Sequence, residues 1–252
     1  MTEIQDLMRQ LHPATFHENQ PISPEKKGEA NPNYFDPEVG HVKLIALPDV
    51  SDFEPQNNDF VNVLENRRSL RRYDQSAVMS LQELSYLLKF TQGIREIDEK
   101  RALTMRYVPS AGSRHPFETY LLIQRVEGLH TGLYRYIAQT HALVAFDLSP
   151  EAIEKAHEVC ARQKQVITST VTFFWIANVY RTAWRYTTRA YRYIHIDAGH
   201  VCQNLQLCAE SIDYGLCGIG AFDDLNANQL FNCDGIERFV VYAASVGKKI
   251  TG

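Results

Sequence analysis

Several short, largely apolar runs along the chain predict the strands of a β-sheet. Phe117 to Ile123, Ile167 to Tyr180 and Phe239 to Val246 have the aliphatic and aromatic content that is typical of buried strands. Leu133 to Ile137 and His141 to Phe146 are separated by a short polar connection, which predicts that they pair as a hairpin. We therefore expect a sheet with a well-buried centre.

Segments with helical periodicity lie between some of these runs. Leucines recur at helical spacing from Leu81 to Leu88. Ser80 and Glu83 have the spacing of a capping box, in which the two side chains each bond a free backbone amide at the start of a helix. This pattern predicts a helix that begins after Ser80, runs to about Gln92 and ends at Gly93.

Other segments also have helical spacing: Phe60 to Glu65, Ser149 to about Gln163, and Arg181 to Tyr214. In the first of these, Val61 and Leu64 are expected to face inward. The long third segment is expected to break near Ile196 and to end at the small residues Gly215 to Gly218. The mixture of strands and helices predicts an α+β fold, and no G-x-G-x-x-G motif follows a strand as a Rossmann domain would require.

We predict that residues 1–56 form an N-terminal arm and that residues 57–252 form the folded domain. Seven of the ten prolines lie in the arm. Because proline interrupts helices, this density favours extended segments over long helices. Val42 to Leu47 predicts one short strand. We expect the arm to be disordered or to lie over a partner's surface.

Composition and charge exclude several classes of function. The chain has 252 residues, with 44% hydrophobic and 22% charged residues, as is ordinary for a soluble globular protein. The net charge of −4 argues against general binding to nucleic acids. No apolar run approaches the roughly 20 residues that a membrane-spanning helix needs. The five cysteines form no C-x-x-C pair and the N-terminus lacks a signal-peptide pattern, so we expect a cytoplasmic protein with reduced thiols.

The stretch Asn66 to Tyr73 concentrates arginine in a short loop: Arg67, Arg68, Arg71 and Arg72, with Ser69 among them. Arginine offers a planar, bidentate fork of donors that suits a phosphate better than lysine does. The stretch therefore predicts a phosphate site. The alternative is a solvated basic turn after a helix.

The stretch Tyr107 to Ile123 joins a polar loop to an apolar strand. Pro109 restricts the backbone and Gly112 permits conformations that are closed to other residues. Ser110 and Ser113 place hydroxyl donors beside backbone amides at the mouth of a strand, which is a common way to present a polar ligand. The alternative is an ordinary turn into a strand.

Five stretches, taken in their order along the chain, resemble the FMN-dependent nitroreductase family, and within it the SagB-type dehydrogenase branch: Asn66 to Tyr73, Tyr107 to Ile123, Tyr191 to Leu205, Cys217 to Phe222, and Ala244 to Lys248. The resemblance runs from about Asn57 to the C-terminus. It implies a nitroreductase-like fold, with a central, mostly antiparallel sheet flanked by helices, in an intertwined homodimer that holds FMN at its interface. It also implies two-electron hydride transfer at the flavin N5, with NAD(P)H as a candidate electron donor.

The resemblance assigns cofactor contacts residue by residue. It assigns the FMN phosphate and ribityl chain to Arg67, Ser69 and Arg71, with Arg68 nearby. It assigns the ring to Pro109, Ser110, Ser113, Ile219, Gly220 and Ala221, and it assigns Arg114 and His115 to the flavin or the substrate. Lys248 is expected to add charge to the phosphate site. Many nitroreductases carry further basic residues on a longer tail, so phosphate binding is expected to depend on the arginine loop or on the partner chain.

The pair Arg185-Tyr186 bears on the substrate. SagB-type enzymes that oxidise azoline rings in modified peptides have a Lys-Tyr pair in this region. Arginine, whose pKa exceeds about 12, cannot serve as the base that lysine provides, whereas Tyr186 can still act as an acid. The arginine therefore weakens azole formation as the specific activity, but it does not weaken flavin chemistry in general. The substrate is expected to be a small molecule or a modified peptide. The alternative is a non-catalytic flavin-binding or structural subunit of a peptide-modifying complex.

Other types of site are not supported by the sequence. His195, Asp197 and His200 lack the i, i+4 spacing of a helical zinc site, so we predict no metal and expect this segment to cap a helix or to pack against the flavin loop. Arg181, Arg185 and Arg189 share a helix face beside aromatic residues, but the acidic net charge makes nucleic-acid binding a poor explanation. No G-x-S-x-G motif supports a serine hydrolase.

Overall fold

The computed structural model describes residues 2–33, 35 and 43–250. In these residues the helices are α1 (Thr2–Ala14), α2 (Phe60–Asn66), α3 (Leu81–Gln92), α4 (Pro150–Val159), α5 (Lys164–Thr168), α6 (Val179–Tyr186), α7 (Ala190–Ser211) and α8 (Asp224–Leu230). The strands are β1 (Leu44–Ala46), β2 (Ile94–Asp98), β3 (Leu103–Arg106), β4 (Phe117–Ile123), β5 (Gly132–Ile137), β6 (Ala142–Asp147), β7 (Val171–Asn178), β8 (Tyr214–Ile219) and β9 (Arg238–Lys248).

The described residues build a seven-stranded sheet in the order β1-β6-β5-β4-β7-β9-β8. Its neighbouring strands are antiparallel throughout, and Leu121 of β4 lies opposite Phe173 of β7 at the centre. β2 and β3 form a separate hairpin. The sheet, with helices packed on it, confirms the predicted α+β architecture and the β5–β6 hairpin.

Hydrophobic residues cover both faces of the central strands, because successive side chains of a strand point to opposite sides. Leu121 and Phe173 lie on the face that packs against α3 and α7. Leu122 and Phe174 lie on the other face, which packs against α4 and α8. The strands that were predicted from largely apolar runs therefore lie at the centre of the sheet, where both of their faces are covered.

The helix α3 confirms the prediction made from its capping pattern. The Glu83 amide donates to Ser80 Oγ at 3.1 Å, and the Ser80 amide donates to Glu83 Oε2 at 2.8 Å. The Gly93 amide donates to the carbonyls of Leu88 and Lys89, which ends the helix. Each of these signals lies within the helix's own sequence, so no distant partner is needed to define its ends.

The N-terminal arm differs from the prediction, because α1 is a long helix in a region where extended segments were expected. No proline precedes Pro13, which lies in the last turn of α1. Further along, the arm lies on α6 of its own chain, where Trp184 Nε1 donates to the Glu29 carbonyl and Arg181 Nε donates to the Asn33 carbonyl, both at 3.1 Å. β1 confirms the short strand, although the predicted start at Val42 lies outside the described residues.

The predicted break near Ile196 was wrong, because α7 is continuous there. The helical stretch instead breaks at Thr187, whose φ of 49° ends α6. The predicted strand from Ile167 to Tyr180 is shorter, since α5 includes its first residues and α6 its last.

The predicted turn at Gly215 to Gly218 was also wrong, because both glycines lie within β8. A side chain at Gly215 would meet Leu70, and one at Gly218 would meet Tyr242. These glycines therefore allow neighbours to approach the strand closely, which is a different use of glycine from ending a helix.

Two helices differ from prediction in detail. In α2 the buried residue is Val63, whereas Val61 and Leu64 are exposed, so their predicted inward orientation was wrong. The helix α4 ends at Val159 rather than near Gln163, because Ala161 and Arg162 have positive φ angles of 53° and 47°. The hairpin β2–β3 and the short helix α8 were not predicted.

Candidate active site

The arginine loop, residues 67–72, begins where α2 ends. Asp59 caps α2 by accepting hydrogen bonds from the amides of Val61 and Asn62, at 2.9 and 3.1 Å. The loop then runs along the outer edge of β8, where the Leu70 amide donates to the Leu216 carbonyl at 2.9 Å. A capped helix thus holds the beginning of the loop, and the edge of β8 holds its middle.

No carboxylate of the described residues neutralises the side chains of the arginine loop. No ion pair within residues 2–33, 35 and 43–250 includes Arg67, Arg68, Arg71 or Arg72. Arg71 is exposed, and its charge acts to lower the pKa of Cys217 on β8, which burial raises. This set of cationic donors fits a phosphate dianion, and it is the chemistry that an FMN phosphate requires.

Lys248, which was expected to add charge to the phosphate site, makes its side-chain contacts at the beginning of β8. Its Nζ lies 3.4 Å from Asp213 Oδ2 and 3.3 Å from the Ile212 carbonyl oxygen, and 4.7 Å from the centre of the Tyr214 ring. Its charge is therefore matched by an acid and a ring face at the beginning of β8. The arginines remain as the candidate phosphate ligands.

The small residues after Cys217 lie at the far end of β8. Ile219 is buried, whereas Gly220 and Ala221 are exposed. A side chain at Gly220 would find its nearest neighbour, Tyr242, at 4.0 Å. The backbone of Gly220 is therefore open to a flat ligand. The Ala221 carbonyl already accepts a bond from Gln163 Nε2 at 2.7 Å.

The loop Pro109–Pro116 has a strained backbone. Gly112, Ser113 and His115 have φ angles of 57°, 54° and 42°, values that residues other than glycine rarely adopt. The surrounding structure must hold such a loop, and strain of this kind is concentrated at functional sites.

Asp197 of α7 provides the support for this loop. Ser110 Oγ donates to Asp197 Oδ2 at 2.5 Å, and the Ala111 amide donates to Asp197 Oδ1 at 3.2 Å. Burial raises the pKa of Asp197, while the bonds from Ser110 and Ala111 act to lower it. The expectation that this segment packs against the loop is confirmed.

The hydroxyls of the two predicted serines are used differently. Ser110 donates its hydrogen to Asp197 and accepts one from the His115 amide at 2.9 Å, so its side chain supports the loop instead of being free to donate to a ring. Ser113 Oγ makes a weak contact with Met105 Sδ at 3.6 Å. Of the two hydroxyls, the one on Ser113 is available to a ligand.

Arg114 is turned away from a ligand role, contrary to the prediction. Its Nε donates to the Arg181 carbonyl at 2.7 Å and its Nη2 donates to Asn31 Oδ1 at 2.6 Å. Its guanidinium also lies 4.8 Å from the centre of the Trp184 ring. The residue therefore joins the loop to α6 and to the arm.

A cleft of about 360 Å³ lies along the loop. Pro109, Ser113 and His115 line it together with Arg95 and Arg106, which the sequence analysis did not identify. Burial, with Arg106 and Arg114 nearby, holds the pKa of His115 well below its usual value, so its ring is neutral at pH 7. The cleft thus combines cations, a hydroxyl and a neutral imidazole. No local sequence signal distinguished Arg95 or Arg106.

The pair Arg185-Tyr186 ends α6 directly beside this loop. A side-chain carbon at Gly112 would lie 2.6 Å from Tyr186 Oη and 3.2 Å from Arg185 Cδ. Burial raises the pKa of the Tyr186 phenol, so it holds its proton at neutral pH. Arg185 lies 3.5 Å from Glu25 of the arm. Two stretches singled out separately in the sequence thus meet at one place.

The arginine loop and the Pro109–Pro116 loop form separate clusters. No hydrogen bond or ion pair among the described residues joins the two loops. α7 contacts the elements that carry both loops: its Asp197 bonds the Pro109–Pro116 loop, and its Cys202 lies beside Gly218 of β8.

No helix within the described residues is both long and apolar enough to cross a membrane. No group of histidine, cysteine and acidic residues within them is arranged to hold a metal ion.

Comparisons with known proteins identify the family of this chain. The sequence model described as Nitroreductase family matches residues 64–248. A protein of Methanocaldococcus jannaschii, provisionally named a nitroreductase, is 32% identical over 212 residues, which cover 84% of this chain and 100% of the relative.

Solved structures show the same fold. A structure from Anabaena variabilis, provisionally titled a nitroreductase, has a TM-score of 0.69 and 25% identity, covering 84% of this chain and 42% of its own. The E. coli microcin synthetase McbBCD complex with truncated pro-MccB17 bound contains a chain with a TM-score of 0.61 and 16% identity, covering 99% of this chain and 93% of its own. A structure from Exiguobacterium sibiricum, provisionally titled a nitroreductase in complex with FMN, has a TM-score of 0.54 and 17% identity, covering 79% of this chain and 92% of its own. The fold is thus nitroreductase-like, and the chain belongs to the nitroreductase family.

Proposed function

We propose that this protein is an FMN-dependent oxidoreductase of the SagB type. The observation that carries the proposal is the arginine loop, whose cations have no carboxylate partner among the described residues and whose backbone is held against β8. Bound FMN would supply two-electron hydride chemistry at its N5. Arg67, Ser69 and Arg71 hold its phosphate, and the open backbone at Gly220 allows its ring to approach.

The Pro109–Pro116 loop and the adjacent Tyr186 would supply polar contacts to the flavin and a proton to the substrate. Ser113 offers a hydroxyl to the polar edge of the ring. Tyr186, whose phenol stays protonated because burial raises its pKa, is positioned to donate a proton to a substrate that receives a hydride. Arg185 cannot abstract a proton, so azoline oxidation lacks its usual base here. We therefore propose net reduction of an acceptor by NAD(P)H, the acceptor being a small molecule or a modified peptide.

The separation of the two loops supports a homodimer. Within the described residues of one chain no hydrogen bond or ion pair joins the arginine loop to the Pro109–Pro116 loop, so a flavin held by one loop would be completed by the other loop of a partner. Each dimer would then hold two sites, and neither chain would bind FMN fully by itself.

A second candidate function is a non-catalytic flavin-binding or structural subunit of a peptide-modifying complex. Arg185 favours it, because the side chain in the position of the expected base is a permanent cation that lies 3.5 Å from Glu25. The neighbour in the microcin synthetase complex makes such a subunit a reasonable comparison.

The test is a visible absorption spectrum of the freshly purified protein, with the chromophore released by heat and identified. We expect FMN at about one per chain. NAD(P)H should then bleach the flavin band, and a quinone or nitroaromatic should restore it. A stoichiometric flavin that NAD(P)H does not reduce, and that a quinone or nitroaromatic does not reoxidise after chemical reduction with dithionite, would favour the non-catalytic subunit. A colourless protein that also fails to bind added FMN would overturn the proposal.

A further inference from the structure

The break between α6 and α7 sets the direction of Tyr186. Thr187 has a φ of 49° and a ψ of −134°, an unfavourable conformation for a β-branched residue. Tyr186 immediately precedes this break. A small change in the backbone at Thr187 would therefore move the Tyr186 hydroxyl away from Gly112. Something outside the two helices must hold the strained residue in place.

The side chain of Gln20 in the arm provides this restraint. Its Oε1 accepts hydrogen bonds from the Thr187 hydroxyl, from Thr188 Oγ1 at 3.1 Å and from the Arg189 amide at 2.9 Å. Its Nε2 donates to the carbonyls of Ala14 and Phe16, at 3.1 and 2.6 Å. One amide group thus bonds the break on one side and the end of α1 on the other.

A second line of contacts leads from Gln20 to Tyr186 through side chains. Arg189, whose amide donates to Gln20, donates through its Nε to the Tyr193 hydroxyl at 3.0 Å. The Tyr193 ring meets the Tyr186 ring edge-on, with 4.7 Å between ring centres. The orientation of Tyr186 therefore depends on Gln20 through both the backbone and the packed rings.

We propose that Gln20 is a positioning residue, which holds the Tyr186 hydroxyl against the Pro109–Pro116 loop. The catalytic consequence rests on the proposed function, in which Tyr186 donates a proton. The position of the Tyr186 hydroxyl does not depend on that function. Gln20 lies 167 residues from Thr187 in the sequence, and no motif marks it.

The first test compares Gln20→Leu with Asn19→Leu. Asn19 bonds the Pro13 carbonyl within the same part of the arm and does not contact the break, so it is a matched control. Both variants should retain FMN. Gln20→Leu should lower kcat by on the order of tenfold or more, as displaced catalytic groups do, with little change in the KM for NAD(P)H. Gln20→Glu, which keeps the acceptor oxygens, should restore part of the rate.

A double-mutant cycle with Tyr186→Phe separates positioning from general damage to the fold. If Gln20 acts through Tyr186, Gln20→Leu should slow the Tyr186→Phe enzyme little further. An equal loss in both backgrounds would overturn the proposal.

A readout that does not need turnover is nitration of tyrosine by tetranitromethane, located by peptide mass spectrometry. Gln20→Leu should raise modification of Tyr186 several-fold, while Asn19→Leu should leave it unchanged. If the protein bound no flavin, the proposed function would fail, but this readout would still decide the position of Tyr186. Unchanged Tyr186 modification in Gln20→Leu would overturn the inference.

Discussion

At the scale of single residues, the arginine loop and Ser113 carry the sharpest prediction. Arg67→Ala should weaken FMN binding by roughly ten- to a hundredfold, because a hydrogen bond to a charged group contributes about 1.5–3 kcal/mol. Ser113→Ala should have a smaller effect, since its hydroxyl is a neutral donor. Titration of apoprotein with FMN, followed by fluorescence quenching, measures both. Arg101→Ala, on the exposed β2–β3 connection, is the control and should bind FMN normally.

Glu118 is a buried carboxylate surrounded by arginines. Its carboxylate oxygens lie 2.7 Å from Arg181 and 3.2 Å from Arg135. Burial raises the pKa of Glu118, but Arg181, Arg135 and Arg106 outweigh it, so the net pKa is below the ordinary value of 4.5. A carboxyl with a depressed pKa stabilises the fold above its unfolded pKa, and that stability is lost as the pH falls through the folded pKa.

Glu118→Gln should therefore lower the free energy of unfolding at pH 7 by about 3–5 kcal/mol, as expected when one partner of a buried ion pair is removed. Below pH 4.5 the wild type should lose this advantage and the two proteins should converge. Urea unfolding between pH 3 and 7 measures the difference. Glu154→Gln removes an exposed pair with Arg162 and should change stability by less than about 1 kcal/mol. Equal losses in both variants would contradict this explanation.

At the scale of elements, Ser80 is expected to determine the start of α3. Ser80→Ala removes the acceptor for the Glu83 amide and should lower the free energy of unfolding by about 1 kcal/mol. Chemical denaturation followed by circular dichroism measures the change. Ser76→Ala, which changes an exposed serine outside any helix, should have an effect within about 0.5 kcal/mol. No difference between the two variants would contradict the role of the cap.

The elements that the sequence predicted are those with local signals. The capping box of α3 and the apolar runs of β4 and β9 specify structure within a few residues. The break at Thr187 could not be predicted, because Gln20 of the distant arm holds it. β8 was missed because its glycines resemble a helix stop, and only the neighbours Leu70 and Tyr242 show why glycine is required there.

In the candidate site, too, local sequence signals could be interpreted, whereas contacts with distant residues could not be predicted. The arginine loop is a short local motif, and the structure leaves its arginines without acidic partners in the described chain. Arg114 had been expected to meet a ligand, but Asn31 holds its guanidinium instead. Asn31 is 83 residues from Arg114, so a pattern near Arg114 cannot reveal the bond.

At the scale of the whole molecule, α2 carries an apolar face that one chain leaves exposed. Phe60 and Leu64 are 64% and 44% exposed, directly before the arginine loop. Exposed apolar clusters of this kind mark interfaces, so we expect a homodimer that uses α2. Phe60→Glu should shift the mass measured by light scattering toward the monomer and lower FMN occupancy. Ile236→Glu, at an isolated exposed position, should leave the dimer intact. A wild-type monomer with full FMN occupancy would contradict the shared site.

The position of the arginine loop has a consequence for solubility. β1 and β8 form the edges of the large sheet, and an open edge can pair with another molecule and seed aggregates. β1 is only three residues long, which limits such pairing. β8 is longer, and the arginine loop shields it through the bond between Leu70 and Leu216. A bound phosphate that neutralises the arginines would also stabilise the loop in its position along β8. The bound nucleotide would then protect the edge of the sheet from self-association.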